Sequence, residues 1–424
     1  MAVTAFDVSN YTAAFRQVIQ PYIQDNVPSQ TKLLKVLKKN DSVQTFNNAF
    51  YFAVRTNRHG GVVNLANPNA KLRSGYAPTT QGSVGQKFVT ATFDLTDVVM
   101  KSSQGDKLAV ESAMDFQMNS LTSDFSKSLN RQYWSDGVGI VAEVSGSVSG
   151  TSFTVKQVDS SIDDSRGDVS GYFGAINYDI KPTKWLTPGQ GVGLGTAGGA
   201  FGATGVTISS VSGGTALGTV NTIGTLASVA NNAVFILDAD NDAAGTSDIQ
   251  GVRSALSVGT ATTYAGISTG NDIWAPQYMG TAGNGALAIS DMDTIYTAAY
   301  EYASEGDRYA WFMNRSLYSK YGELLTALRR TVNKTELVSG WTGLAFEAGM
   351  GEVGVYLDYD TPDGEAVLLN LDTWTVCQVA DMGFVDDNML RRSDYITFQK
   401  VFSWYTNLAC RCPAANGRML RRTK

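Results

Sequence analysis

The sequence predicts a mixed α+β chain, and three features predict it. A long amphipathic run ends near Trp134. Strand-like alternation flanks that run on both sides. A second helical region then gives way to late strands that return to pack beside the long helix. At 424 residues the chain is long enough for two or three domains and a sizeable core.

The first element is a helix over about Tyr11–Asp25. Asn10 stands as its N-cap, Phe15, Val18, Ile19, Tyr22 and Ile23 fall at helical spacing, and Pro21 kinks it. A short run, Gln30–Leu37, carries Leu33, Leu34, Val36 and Leu37 beside Lys35, Lys38 and Lys39. Asn48–Thr56 alternates as a strand. A polar, turn-rich stretch follows from His59 to Gln86, and strand character returns at Gln86–Val99. This reads as a long two-stranded excursion with a polar tip, which cannot stay folded alone in water and needs a neighbour to lie on.

The strongest helix comes next. Val110, Met114, Met118, Leu121, Phe125, Leu129 and Tyr133 are spaced 4, 4, 3, 4, 4 and 4, an apolar stripe down one face. A helix of about 27 residues is roughly 40 Å long. Ser135-Asp-Gly-Val-Gly139 stops it.

From Ala142 to about Gly270 the chain turns β-like. Between Trp185 and Leu237 lie 53 residues with no Asp, Glu, Lys or Arg, and 12 of them are Gly. The alternation at Val206, Ile208 and Ser210 and the run Val234-Phe-Ile-Leu237 favour folded strands over disorder. Strands at Thr151–Val158, Val206–Val211, Gly218–Ile223 and Ala233–Leu237 have the spacing of a small barrel or sandwich. Helices return at Ala288–Ser304 and Ser316–Arg329. Strands follow at Val353–Leu357, Ala366–Asn370, Thr375–Ala380 and Tyr395–Leu408.

Composition excludes several function classes. Charged residues are only 17%, below the usual quarter or so, and Gly is 43 of 424. Low charge suggests much surface covered by something other than water. A net charge of −6 argues against a protein that coats nucleic acid with a basic face. Three cysteines are too few for a disulfide framework, which points to a reducing compartment. No signal peptide and no membrane-spanning helix is expected.

Each chemical motif has a plainer structural reading. His59 is the single histidine, so Ser/His/Asp or Cys/His catalysis would both need it, yet it sits in a polar turn. Cys410-Arg-Cys412 lacks zinc-ligand spacing and reads as buried or edge-strand thiols. Asp238-Ala-Asp240-Asn-Asp242 begins like a calcium loop, but Ala243 and Ile249 stand where Gly and Glu are required. Gly193-Leu-Gly195-Thr-Ala-Gly198 matches the dinucleotide fingerprint without the helix that must follow. The acid pairs Asp163/Asp164 and Asp386/Asp387 are as expected for 39 acids in this length. No catalytic residue, metal or cofactor is expected, and the chain does not read as an enzyme. The basic C-terminal residues Arg418, Arg421, Arg422 and Lys424 read as a solvated tail or as partners in an inter-subunit ion pair, and are the candidates for a weak DNA contact.

The order of elements resembles the major capsid protein of tailed double-stranded-DNA bacteriophages, the Hong Kong 97 capsid fold. The resemblance covers most of the chain. An arm (Tyr11–Asn40) leads into an extended loop (Phe46–Val99). The helix Lys107–Trp134, closing in Tyr133-Trp-Ser-Asp-Gly-Val-Gly139, resembles the family's spine helix. Asp248-Ile-Gln-Gly251-Val resembles its re-entry into the core. Leu328–Asn333, Gly340–Phe346 and Val353–Gly364 resemble the axial domain, and Phe384–Arg392 with Tyr395–Cys410 the last peripheral strands.

The resemblance implies six parts: an N-terminal arm (1–45), an extended loop (46–100), a peripheral domain with the spine helix (101–142), a β-rich insertion (143–270), an axial domain (271–370), and a return to the peripheral domain with a basic tail (371–424). It implies a shell protein that self-assembles in pentamers and hexamers, in the cytoplasm of a bacterial host, into the icosahedral virion capsid around phage DNA. Implied partners are other copies of itself, a separate scaffolding protein, a portal and a decoration protein, with weak DNA contact and no membrane. Lys71, Arg73, Lys87, Arg391 and Arg392 are the candidate inter-subunit contacts. Some members of the family cross-link a loop Lys to a neighbour's Asn; neither Lys71 nor Lys87 matches that pattern, so no cross-link is expected. The alternatives are an encapsulin-like bacterial compartment of the same fold and a β-rich carbohydrate-binding or hydrolase protein.

Overall fold

The computed structural model describes residues 31–37, 39–40, 45–46, 48–64, 71, 74–97, 107–135, 137, 139–146, 148, 150–156, 183–195, 205–213, 217–226, 233–236, 248–257, 263–271, 273–280, 285–327, 335–337, 341–348, 351–362, 364–385, 390–391, 397–420 and 422–423. The helix expected at Tyr11–Asp25 lies outside them, as do the Asp238–Asp242, Asp163/Asp164 and Asp386/Asp387 motifs.

Five helices are described: α1 (Lys32–Val36), α2 (Lys107–Trp134), α3 (Val252–Ala255), α4 (Ile289–Tyr300) and α5 (Arg315–Ala327). They pack on two sheets, and a closed barrel stands beside them.

The first sheet is built on the 14-residue strand Thr397–Cys410. One edge of it pairs in succession with Trp374–Gln378, Gly383–Phe384 and Leu390–Arg391. The other edge pairs antiparallel with Lys87–Thr96, in register from Thr397↔Thr96 to Thr406↔Lys87. Strand side chains alternate faces, so Lys400, Phe402 and Trp404 turn inward to be buried while Val401, Ser403 and Tyr405 face outward. The inward set meets the apolar stripe of α2. Phe125 sits edge-on to Phe402 at 4.8 Å between ring centres, and Leu129, Tyr133 and Trp134 are buried in the same cluster with Leu33 and Leu37 from α1. Edge-to-face rings add about 0.5–1.5 kcal/mol beyond the area they bury.

The second sheet has seven strands in the order Gln277–Met279, Gly417–Met419, Ala366–Asn370, Tyr309–Met313, Gly351–Leu357, Trp341–Ala348 and Thr335–Leu337. Its two faces feed two cores. In Tyr309–Met313, Tyr309, Trp311 and Met313 pack with α4 and α5, while Ala310 and Phe312 pack toward α2. A strand covered on both faces shows no polar alternation, which is why Tyr-Ala-Trp-Phe-Met escaped the sequence reading.

The β-rich insertion is a closed antiparallel barrel, in the order Gly218–Leu226, Gly150–Lys156, Ile140–Val144, Ala233–Ile236, Gly191–Gly195 and Val206–Gly213. Val144, Phe153, Val155, Leu194, Ile208, Val220 and Val234 fill it. Gly193 and Gly195 lie in a barrel strand rather than a phosphate loop. The barrel begins at Ile140, directly after the expected stop signal and two residues before the expected Ala142, and its last described strand ends at Ile236. Ile249, Val252, Leu256 and Tyr264, within the stretch assigned above to the insertion, are instead buried in the α2 core together with Trp274.

Two further boundaries move. Ala49–Arg55 pairs with Thr79–Gly85, not with the strand at 87–96. Asn48, in a left-handed turn at φ 57°, accepts the Gln86 N–H at 2.8 Å, so the hairpin closes there and the chain is free to join Thr397–Cys410. The segment after Cys410 is not a peripheral tail. A short 3-10 turn at Pro413–Ala415 sends Gly417–Met419 between Gln277–Met279 and Ala366–Asn370, and Arg422–Thr423 pairs with Gly285–Ala286.

Candidate functional site

Two features project from this frame: the hairpin and the barrel. The base of the hairpin is docked. Phe50 and Val84 are buried against Cys377 and Ala409 on the outer face of the first sheet. Asn407, fully buried, donates its amide to the Gly85 carbonyl and accepts the Gln250 N–H at 3.1 Å, tying hairpin, sheet and re-entry run together. The outer part of the hairpin has no such cover. Val62 is 84% exposed and Tyr76 78%, with Val63, Arg55, Arg58, His59 and Lys71 also exposed. His59 accepts the Gly61 N–H on Nδ1 at 3.0 Å, a turn contact with no nucleophile or acid in the bond.

The other candidate contact residues are scattered. Lys87 is half-buried where the hairpin joins the first sheet; burial lowers its pKa and the charge of Asp248 opposes this. Arg391 lies on the short strand paired with Phe398. Arg73 and Arg392 lie outside the described residues. Sequence reading missed an apolar row beside Lys87. Phe88 and Tyr405, exposed and registered across neighbouring strands, meet edge-on at 5.4 Å, and exposed Val379 donates its N–H to the Tyr405 carbonyl at 3.2 Å. The spacing signal was present, since Phe88, Thr90 and Thr92 alternate, but the partner strand was not known.

A polar junction sets where the barrel stands. Asn130 of α2 donates to Asp358 at 3.2 Å and to Asp360 at 2.7 Å. Asp358 also accepts the Leu33 N–H of α1 at 3.2 Å and the Asp360 N–H at 2.9 Å. Burial, then the charge of Asp360, pushes the Asp358 carboxyl above its ordinary range. Lys184, in the turn before barrel strand Gly191–Gly195, reaches Asp360 at 2.7 Å and the Tyr359 carbonyl at 2.9 Å. Beside it the Trp185 ring lies under three cations, Lys184 at 4.7 Å, Lys127 at 5.6 Å and Arg131 at 6.0 Å. Arg131 in turn pairs with Asp248 at 2.9 Å where the chain leaves the insertion. Charged residues thus fix both ends of a barrel whose own strands carry the Lys156–Glu143 pair at 2.8 Å.

The expected basic tail is turned inward. Arg418 is 1% exposed and grips Glu365 with two bonds of 2.9 Å; Arg253 approaches the same carboxylate at 3.3 Å. Arg422 is 3% exposed and pairs with Asp291 at 2.7 Å. Both side chains are buried in ion pairs within the subunit, turned away from solvent. Arg421 and Lys424 lie outside the described residues. The thiols are also structural in placement: burial raises Cys377 to about 11 against the pull of Arg411, and raises Cys410 and Cys412 as well. Among the described residues no three His, Cys, Asp or Glu side chains gather as a metal site, and no helix is long and apolar enough to cross a membrane.

No known protein family and no curated protein matches the sequence. Solved structures do. The subunit of the Cyanophage A-1(L) capsid asymmetric unit superposes with a TM-score of 0.54 at 14% identity, over 95% of this chain and 96% of that one. The chain has a phage capsid fold. At this identity the likeness is one of fold, and it runs the length of both chains. Lower on the scale, the capsid of a native GTA particle gives 0.47 at 11% identity over 97% of this chain and 99% of that chain. The SrpI encapsulin complex of Synechococcus elongatus gives 0.30 at 10% identity over 47% and 78%. Among the described residues, exposed large apolar side chains gather on the hairpin's outer half and along the Phe88–Tyr405–Val379 row, with others at Leu217, Ile223, Tyr359 and Val385.

Proposed function

We propose that this chain is the major capsid protein of a tailed bacteriophage, a subunit that self-assembles into an icosahedral shell around double-stranded DNA. The observation that carries the reading is the end-to-end correspondence with a cyanophage capsid subunit. The physical argument agrees with it. The hairpin is docked at its base and bare beyond it, as expected of an arm that lies on another subunit. Closed symmetry repeats one such contact around pentamers and hexamers, so many weak contacts sum to a stable shell. The work of the chain is then assembly rather than chemistry. A separate scaffolding protein, a portal, a decoration protein and assembly in a bacterial cytoplasm belong to the same proposal, as do Lys71, Arg73, Lys87, Arg391 and Arg392 at subunit contacts. With Arg418 and Arg422 inside the subunit, DNA is enclosed with little direct grip.

Negative-stain microscopy of the concentrated chain tests this: closed shells of uniform diameter are expected, and a monomer at every concentration and salt overturns it. Shells purified from infected cells should contain DNA; shells filled with a protein cargo would move the reading to a compartment.

A further inference from the structure

We propose that the hairpin docks by opposite charge onto an acidic face of a second copy of this chain, which makes shell assembly sensitive to ionic strength. The inference rests on the shell reading above and adds the chemistry of the contact. From Ser42 to Phe93 there is no Asp or Glu in 52 residues, while Arg55, Arg58, Lys71, Arg73 and Lys87 give the stretch +5. The whole chain carries −6, so the remainder carries −11. Net positive charge is therefore concentrated in the stretch that forms the hairpin and its junction with the first sheet, while the rest of the chain is net negative.

Three of those charges face outward on the hairpin. Arg55, Arg58 and Lys71 are exposed, and among the described residues Arg58 and Lys71 have no carboxylate partner. Exposed carboxylates are available on the body. The run Asp291–Asp307 contains five acids and no Lys or Arg, and its Asp293, Glu301 and Glu305 are exposed. A second copy thus offers what the hairpin lacks. Val62, Val63 and Tyr76 on the same part of the hairpin favour a protein surface over a polyanion, since phosphate contacts leave exposed aliphatic groups uncovered. Like hairpins repel each other, so only the heterologous contact, hairpin to body, is attractive, and that is the contact that propagates around a ring.

The test compares the full chain with Arg58→Glu/Lys71→Glu and with the charge-keeping Arg58→Lys/Lys71→Arg, by light scattering and microscopy over a concentration series. Both positions are exposed, so thermal melting of the unassembled subunit should be the same in all three. The expected result is a threshold concentration for shell formation raised roughly tenfold or more in the charge-reversed variant and unchanged in the other, because each weak pair is repeated around the shell. The wild-type threshold should also rise severalfold between about 0.05 M and about 0.5 M salt, as the Debye length shrinks. Equal thresholds for wild type and the reversed variant overturn the inference while leaving the shell reading intact. Normal assembly with reduced DNA content in the reversed variant overturns it in favour of a nucleic-acid contact. A wild type that forms no shells removes both.

Discussion

Arg418 and Glu365 form a two-pronged ion pair with each side chain 1% exposed, and it joins the strand Gly417–Met419 to the start of Ala366–Asn370. Burial alone would raise the glutamate's pKa. The charges of Arg418 and then Arg253, with the Arg418 hydrogen bonds, outweigh it and hold the carboxyl below its ordinary value. Glu365→Ala leaves two guanidinium groups near one another without their anion. Breaking a buried pair from one side costs about 3–5 kcal/mol, so we expect a loss of that order in urea denaturation of the subunit.

The pH dependence follows from the same pair. A depressed folded pKa means that the unfolded chain binds the proton more readily. The stabilisation is therefore present above the unfolded value of about 4.3 and is lost as pH falls through the folded value. Glu365→Gln should show a shallower fall in stability with acidification below about pH 4.3 than wild type. Identical slopes would mean that Glu365 is not the group responsible.

Asp358 has the opposite sign. Its carboxyl is buried beside Asp360 and its pKa is raised, so the folded chain binds the proton more readily than the unfolded one. This site adds stability as pH falls from the folded value through the unfolded value of about 3.9. Asp358→Asn keeps an acceptor for Leu33 and removes that contribution. We expect the variant to gain on wild type at neutral pH and lose the advantage in acid, measured by melting temperature across a pH series.

How much of this was legible in the sequence depends on which side of an element was visible. The long helix was read at its observed bounds because Leu121, Phe125, Leu129 and Tyr133 repeat on one face while polar residues hold the other. The barrel strands were read from Val206/Ile208 and Val234–Ile236 because branched apolar side chains such as Val206, Ile208 and Val234 fill the inside while Ser209 and Ser210 are exposed. Tyr309–Met313 was missed for want of contrast. The partner of Ala49–Arg55 was misassigned because Thr79–Gly85 carries two Gly and reads as turn. Arg418 and Arg422 were misjudged because charge near a chain end suggests solvent, whereas their partners Glu365 and Asp291 lie 53 and 131 residues away in sequence. The junction at Asn130 was invisible for the same reason: its acceptors Asp358 and Asp360 lie more than two hundred residues on, in a stretch noted only for its resemblance to the axial domain.

Gly251 is the point where the chain returns from the insertion to the core. A Cβ placed there would lie against the backbone carbonyl oxygens of Gln132, Tyr133 and Ser135 at the end of α2, closer than real Cβ contacts occur. Backbone oxygens at a helix end do not swing aside as a side chain does. Gly251→Ala should therefore cost more than about 2 kcal/mol or abolish soluble expression, while Gly60→Ala on the hairpin, with open space around it, should be neutral. Equal yields and melting temperatures for the two variants would contradict this close approach.

The Lys184–Asp360 bond predicts a local effect instead. Asp360 is 1% exposed and holds Lys184 at 2.7 Å, with the Asn130 amide at 2.7 Å on its other oxygen. Lys184→Met strips the carboxylate of its nearest cation and removes the closest of the three charges over Trp185. The lysine is partly exposed, so solvent screens some of the loss, and a cost of about 1–3 kcal/mol is expected. Because α2 and the first sheet do not depend on this bond, the cost should be felt as opening of the barrel attachment rather than global unfolding. Hydrogen exchange should accelerate at the Leu186 and Gln190 amides and stay unchanged at Leu129 in α2. Adding Asp360→Asn removes the charge left without its partner, so the double variant should exchange more slowly at the attachment than Lys184→Met alone. If instead the double variant opens further, the bond is contributing through packing of the lysine stem and not through its charge.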